Sequence, residues 1–240
     1  MKIYLSVPLL FIFTCNSAIA QIGYGPELGL GMSTYKFAPS ATPIDYTSAS
    51  VNTIFSGKIG VIIDEPLNKH IYFQAGVFLS RKGAERSFSY YKNDSFHEAV
   101  HQTLDVNYIE VPLSVIFKTA KQGKGRFMFG LGATPSYIVG GQNHLQDIGK
   151  YNDSSINSNG TYKISIGNTL HAFDIGVNVV AGYELPTGLF FRVYYTGGVN
   201  DIGIRSEVDK NRMFGISAGY LFGKGRNINK EAESLIDKGD

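Results

Sequence analysis

Residues 212–222 read "RMFGISAGYLF". Phe214, Ile216, Ala218, Tyr220 and Phe222 share one phase of a two-residue period. Met213, Gly215, Ser217, Gly219 and Leu221 share the other. An antiparallel strand lying on a soluble core buries its apolar face and turns a polar one to water. Here a greasy, aromatic-ended face opposes one made largely of glycine and serine. That combination suits a strand whose apolar side meets lipid and whose other side meets a crowded interior.

Working outward from this stretch, the same alternation recurs in residues 25–34, 54–64, 70–82, 105–118, 126–139, 173–184 and 188–199, giving eight segments in all. Residues 70–82 are typical, with Ile71, Phe73, Ala75, Val77 and Leu79 opposite Tyr72, Gln74, Gly76, Ser80 and Lys82. Each segment fits period two better than 3.6, and about ten residues is the length of a tilted strand crossing a bilayer. The connections alternate in length. Residues 35–53, 83–104, 140–172 and 200–211 read as long polar loops, and 65–69, 119–125 and 185–187 as short turns. Four long loops outside and three short turns inside are what eight antiparallel transmembrane strands require. Pro112 and Pro135 fall within strands. Each removes a ladder donor and asks for a bulge or a break.

The totals agree. Charged residues make up 18% of the chain, below the usual quarter or so, while aromatics reach 13% and glycine 28 of 240. The net charge of +2 is spread without a basic block, which excludes a nucleic-acid partner. Residues 1–20 are expected to be a signal peptide. Lys2 begins it, Leu5 to Phe13 form its apolar run, and Ala18-Ile19-Ala20 precedes cleavage after Ala20. Cys15, the only cysteine, lies inside that segment, so residues 21–240 can form neither a disulfide nor a thiolate metal site. Residues 223–240, with four bases and four acids, are expected to be a polar periplasmic tail outside a barrel of residues 21–222.

An eight-stranded barrel has an interior just wide enough for side chains to fill. The apolar face therefore goes to lipid, and the small and charged residues go to the lumen. Trp is absent, so aromatic girdles must come from Tyr and Phe such as Phe55, Tyr137, Tyr183, Tyr195, Tyr220 and Phe222. The inward phase carries Glu27, Glu110 and Asp174 with Lys58, Arg126 and Arg192, a candidate polar network that either plugs the barrel or lines a narrow path for ions or small solutes. His97, His101, His144 and His171 fall in or beside the long loops with Asp94, Asp147 and Asp153. No pair has a diagnostic spacing, since a separation of four aligns ligands on a helix, so no catalytic, metal or cofactor residue is assigned. The "GLG" at 29–31 and 130–132 does not complete a phosphate-binding pattern before a helix.

"YIEVPLSVIFK" (108–118) resembles the Y-[IL]-E-[IV]-P-L segment of the Bacteroidetes-type outer-membrane β-barrel family, the porin-family or PorT-like proteins. "FDIGVNVVAGYEL" (173–185), "LFFRVYYTGGVNDI" (189–202) and "KNRMFGISAGYLF" (210–222) resemble its last three strands. The resemblance implies an eight-stranded outer-membrane barrel with Glu110 and Arg192 in the lumen. It also implies membership of a group in which some proteins serve protein secretion.

The sequence thus predicts an all-β, eight-stranded antiparallel transmembrane barrel in a Gram-negative outer membrane, monomeric and without a cofactor. The leading function is structural or interactive, with residues 140–172 offered to a surface ligand or partner. The expected associates are outer-membrane lipid and the barrel-assembly machinery, which would read the aromatic end at Phe222.

Overall fold

The computed structural model of the chain describes residues 22–38, 46–93, 96–119, 125–151, 154–168, 170–204 and 208–223. The expected signal peptide and residues 224–240 lie outside these. Among the described residues ten strands form: β1 (Gly23–Ala38), β2 (Tyr46–Pro66), β3 (Ile71–Asn93), β4 (Phe96–Glu110), β5 (Leu113–Lys118), β6 (Arg126–Tyr151), β7 (Ser154–Lys163), β8 (Phe173–Glu184), β9 (Leu189–Gly198) and β10 (Val208–Tyr220). All pair antiparallel, and β10 returns to β1 with Gly31 opposite Gly215 and Met32 opposite Phe214. The sheet is therefore closed, with no edge left to lipid.

The ring has eight staves because β4 and β5 are one. Phe78 faces Glu110 and Ala75 faces Leu113, so the register crosses Val111-Pro112 unchanged. Pro112 accepts from the Gly76 N–H at 3.1 Å, and Pro135 from the Val111 N–H at 2.9 Å. Neither can donate in return. The prolines thus cost ladder donors, as expected, without displacing the strand. Short turns close one end. At 67–70 the Asn68 side chain accepts from the His70 and Ile71 N–H groups, both at 2.8 Å. At 185–188, Gly188 takes a left-handed φ of 98°.

The opposite end departs from the sequence reading. Residues 83–104 and 140–172 are largely strand, because β3 runs to Asn93, β4 starts at Phe96, and β6 and β7 form a further hairpin. The physical reason lies in the phase of the pattern. Within the membrane zone apolar side chains point out: Leu28, Phe55, Ile59, Val77, Leu79, Leu131, Val193 and Ile216 are all exposed. Beyond it the sense inverts. On β4, Leu104 and Val106 are buried, while His101 and Asn107 are turned outward. The collar above the lipid is built like an ordinary soluble sheet, polar outside and apolar inside. The buried phase of β4 itself is unbroken, since Leu104, Val106, Tyr108 and Glu110 are all buried; what changes is the kind of residue that occupies each face.

Inside, two apolar clusters cross the lumen. One contains Ile62, Phe78, Ile116, Met128, Phe190, Tyr194 and Met213. The other, toward the collar, joins Tyr35, Leu104, Val106, Tyr108 and Ile138 to Leu170 and Ile202. Leu170 and Ile202 come from the connections flanking β8 and β9, and the His171 N–H donates to the Ile202 carbonyl at 2.7 Å. These two segments fold inward and stopper the mouth.

Candidate functional site: the barrel lumen

The six charged residues singled out in the sequence all point inward or line the lumen, and the structure sorts them into distinct pairings. Glu27 and Arg192 form a two-pronged ion pair, with the Arg192 Nε 3.1 Å from one Glu27 oxygen and its Nη2 on the other. Lys58 approaches Glu27 at 3.4 Å and lies over the Tyr194 ring at 3.9 Å. Glu110 pairs with Lys82 rather than Arg192. Asp174 faces Lys82 and Asn211. Arg126 grips both Glu184 oxygens, at 2.9 and 3.1 Å, and donates to the Tyr72 hydroxyl at 2.5 Å.

Four further charges join them, Asp64, Lys82, Lys118 and Glu184, and Arg86 is buried farther along β3 toward the collar. Lys118, fully buried, contacts Asp64 and donates to Glu184 at 2.9 Å. The signal for them was present in the sequence, since each stands on the inward phase of a recognised strand. Three of the four lie at strand ends, where charge also suits a turn. Gln74 links the groups. It donates to Asp64 at 3.1 Å and accepts from Arg192 at 2.6 Å. A continuous chain of contacts therefore runs Arg126, Glu184, Lys118, Asp64, Gln74, Arg192, Glu27, Lys58. Among the described residues, and leaving aside Arg86 toward the collar, five inward acids face five inward bases. A buried charge is tolerated when paired and hydrogen-bonded, and here the charges cancel.

Between the chain and the Lys82–Glu110 pair lies a cavity of about 30 Å³, lined by Lys58, Gln74, Glu110, Thr134, Arg192 and Tyr194 among others. That is room for one or two waters and no larger solute.

The loop histidines take other places. His101 Nδ1 lies 2.8 Å from the Ser87 hydroxyl, and His144 Nδ1 lies 2.6 Å from Thr161 Oγ1. Both are opposite-residue pairs in a ladder, the contacts that cross-strand neighbours make. His171 is exposed, and the His97 side chain, Asp94 and Asp153 lie outside what is described. Of the expected girdle, Phe55, Tyr137, Tyr195 and Phe222 are exposed on the outer wall. At the turn end, Tyr24, Tyr220 and Phe222 cluster, with Phe222 4.6 Å from Tyr220 and 6.0 Å from Tyr24, centroid to centroid.

A closed antiparallel ring, apolar outside and charge-paired within, defines a membrane-spanning β-barrel protein. The chain belongs to the outer membrane protein beta-barrel domain family, which it matches over residues 15–203. Among solved structures it is similar to Ail, the attachment invasion locus protein of Yersinia pestis, in complex with the heparin analogue sucrose octasulfate. The identity is 12%, covering 84% of this chain and 99% of that one, at a TM-score of 0.39. Neisserial surface protein A is similar at 11% identity, 83% and 97% coverage and a TM-score of 0.38. The outer membrane protease OmpT from Escherichia coli is similar at 14% identity, 85% and 97% coverage and 0.35. No curated protein matches the chain.

Proposed function

We propose that this protein is a closed outer-membrane barrel of structural or interaction type, which anchors a rigid extracellular collar for contact with ligands or partners. The observation that carries the reading is the doubly blocked lumen. Apolar clusters around Phe78 and around Leu170 and Ile202 fill it, and the ionic chain occupies the space between strands. Residues 140–172 supply the collar's outermost hairpin. Its outward face carries Gln142, His144, Gln146, Asn159 and Thr161, side chains suited to hydrogen bonding with a polar surface ligand. A signal peptide removed after Ala20, recognition of Phe222 by the assembly machinery, a periplasmic tail over 223–240 and a monomeric state belong to the same proposal. A PorT-like accessory role in secretion would use the same collar or tail.

Planar-bilayer recording tests the blocked lumen. The purified barrel is expected to give no discrete conductance steps. Ohmic channels whose size changes on Arg192→Met would instead establish the narrow-pore alternative. Hydrolysis of a lipid or peptide that is lost on His101→Ala would replace the interaction reading with an enzymatic one at the Ser87–His101 pair.

A further inference from the structure

His101 and His144 have no ligand spacing along the chain, yet the ladder register brings them together. His101 stands on β4 opposite Gln146, and the next outward pair on the same two strands is Thr103 opposite His144. The two histidines are thus diagonal neighbours, and both are exposed on the outer face of the collar. Diagonal neighbours on one face of a sheet lie roughly 7–8 Å apart, with their Cβ atoms somewhat closer. Two imidazoles at that separation can share one ion at metal–nitrogen distances of about 2.0–2.1 Å.

The rings are also turned for it. His101 Nδ1 lies 2.8 Å from the Ser87 hydroxyl on β3, and His144 Nδ1 lies 2.6 Å from Thr161 Oγ1 on β7. Those two strands flank the β4–β6 pair on opposite sides. Each ring therefore turns Nδ1 away from the other, and the edge carrying Nε2 faces the space between them. A hydroxyl accepts as readily as it donates. With Nδ1–H donating to the hydroxyl, Nε2 keeps its lone pair. That is how metal-ligating histidines are held, one nitrogen on the ion and the other on a supporting group. The surroundings suit a cation. The two rows that hold the pair read Ser87, His101, Gln146 and Glu85, Thr103, His144, and the one formally charged side chain among these is Glu85. Among the described residues no three acid, histidine or cysteine side chains converge on one ion. The protein thus offers two nitrogen ligands and leaves the remaining positions to water.

We infer that His101 and His144 form a surface site for one divalent late transition-metal ion, tying β4 to β6 in the collar. Imidazole suits copper, nickel and zinc, and Cu²⁺ heads the affinity order at such donors. Calcium and magnesium prefer oxygen ligands and are not held here. Ser87 and Thr161 are positioning residues, each fixing one ring through Nδ1.

The test uses the barrel in detergent, purified without a histidine tag and titrated with CuCl₂. Calorimetry reads stoichiometry and affinity, and electron paramagnetic resonance of the bound Cu²⁺ counts its nitrogen ligands. The wild type is expected to bind one Cu²⁺ with a two-nitrogen spectrum. Loss of supporting hydrogen bonds typically costs about 10–100-fold in metal affinity, so S87A/T161V should fall in that range. His101→Ala and His144→Ala should each weaken binding further and lose the two-nitrogen spectrum. His171→Gln, at an exposed histidine of the mouth, should change nothing, and a heat-dependent gel shift confirms that each variant is folded. A one-nitrogen spectrum in the wild type, binding unaltered by either alanine substitution, or indifference to S87A/T161V would each overturn the site.

Discussion

Gly215→Val is expected to prevent the barrel from closing. A Cβ placed on Gly215 would lie 2.2 Å from the Leu30 carbonyl oxygen, 2.7 Å from the Tyr194 hydroxyl and 2.8 Å from the Gly31 Cα. The first and last of these atoms are backbone, so no rotamer change relieves the contact. Gly31, directly opposite in register, is equally tight, with an added Cβ 2.1 Å from the Phe214 carbonyl. The two staves lie against each other at this point because neither residue has a side chain. Overpacking a well-packed interior typically costs about 1–3 kcal/mol, and a clash with unyielding backbone at the closing seam belongs at or beyond the top of that range. The wild type should migrate faster unheated than boiled, and the variant should lose the fast band. Gly57→Ala is the control, since its added Cβ would meet nothing nearer than 3.5 Å. A Gly215→Val protein that kept the heat-dependent shift would show that the seam tolerates separation there. This is the physical meaning of the glycine phase in residues 212–222. The small side of the strand is needed for close approach across the seam as well as for lumen volume.

The fold was legible because one face of each strand had a single solvent. Hydrocarbon selects Leu28, Leu30 and Met32 on β1 as strongly as Phe214 and Ile216 on β10, so the phase could be read strand by strand. The collar was not legible by the same rule. Across Leu104 to Glu110 the buried set passes from Leu104 and Val106 to Glu110, while the exposed set passes to Ile109 and Val111. A reader holding one sense of alternation sees the pattern end where it has only inverted. The inward side was also less polar than the glycine and serine positions suggested. Phe78, Met128 and Phe190 stand in it, each buried among others of their kind. The identities of the inward charges followed from phase alone, but their partners did not. Arg192 reaches Glu27 across 165 residues of sequence, and Glu110 goes to Lys82 instead of Arg192. Which rows lie level depends on the stagger of the closed sheet, and no single strand records that.

Arg192→Met is expected to be the most damaging single change within the ionic chain, and its effect distinguishes a structural network from a gate. The Glu27 side chain has no exposed surface, and Arg192 supplies its two-pronged partner. Removing the guanidinium leaves Glu27 with Lys58, at 3.4 Å, as its charged partner, and leaves the Gln74 oxygen without its donor at 2.6 Å. Taking one partner from a buried ion pair typically costs about 3–5 kcal/mol, chiefly because the remaining charge stays buried. Removing both charges avoids most of that cost. Glu27→Gln combined with Arg192→Met should therefore be more stable than Arg192→Met alone. The chain has no Trp, so urea unfolding is best followed by the gel shift or by circular dichroism in detergent. Equal midpoints for wild type and Arg192→Met would mean that the pair contributes nothing. Equal midpoints for the single and double variants would mean that Glu27 is not the group left stranded. If the network is structural, bilayer recordings of Arg192→Met should stay silent, because the clusters around Phe78 and around Leu170 with Ile202 still block the path. A variant that is destabilised yet conducts would place a gate at Arg192. One that is destabilised and silent would locate the blockage in the apolar layers, with the ion pairs serving to hold charged side chains inside a closed wall.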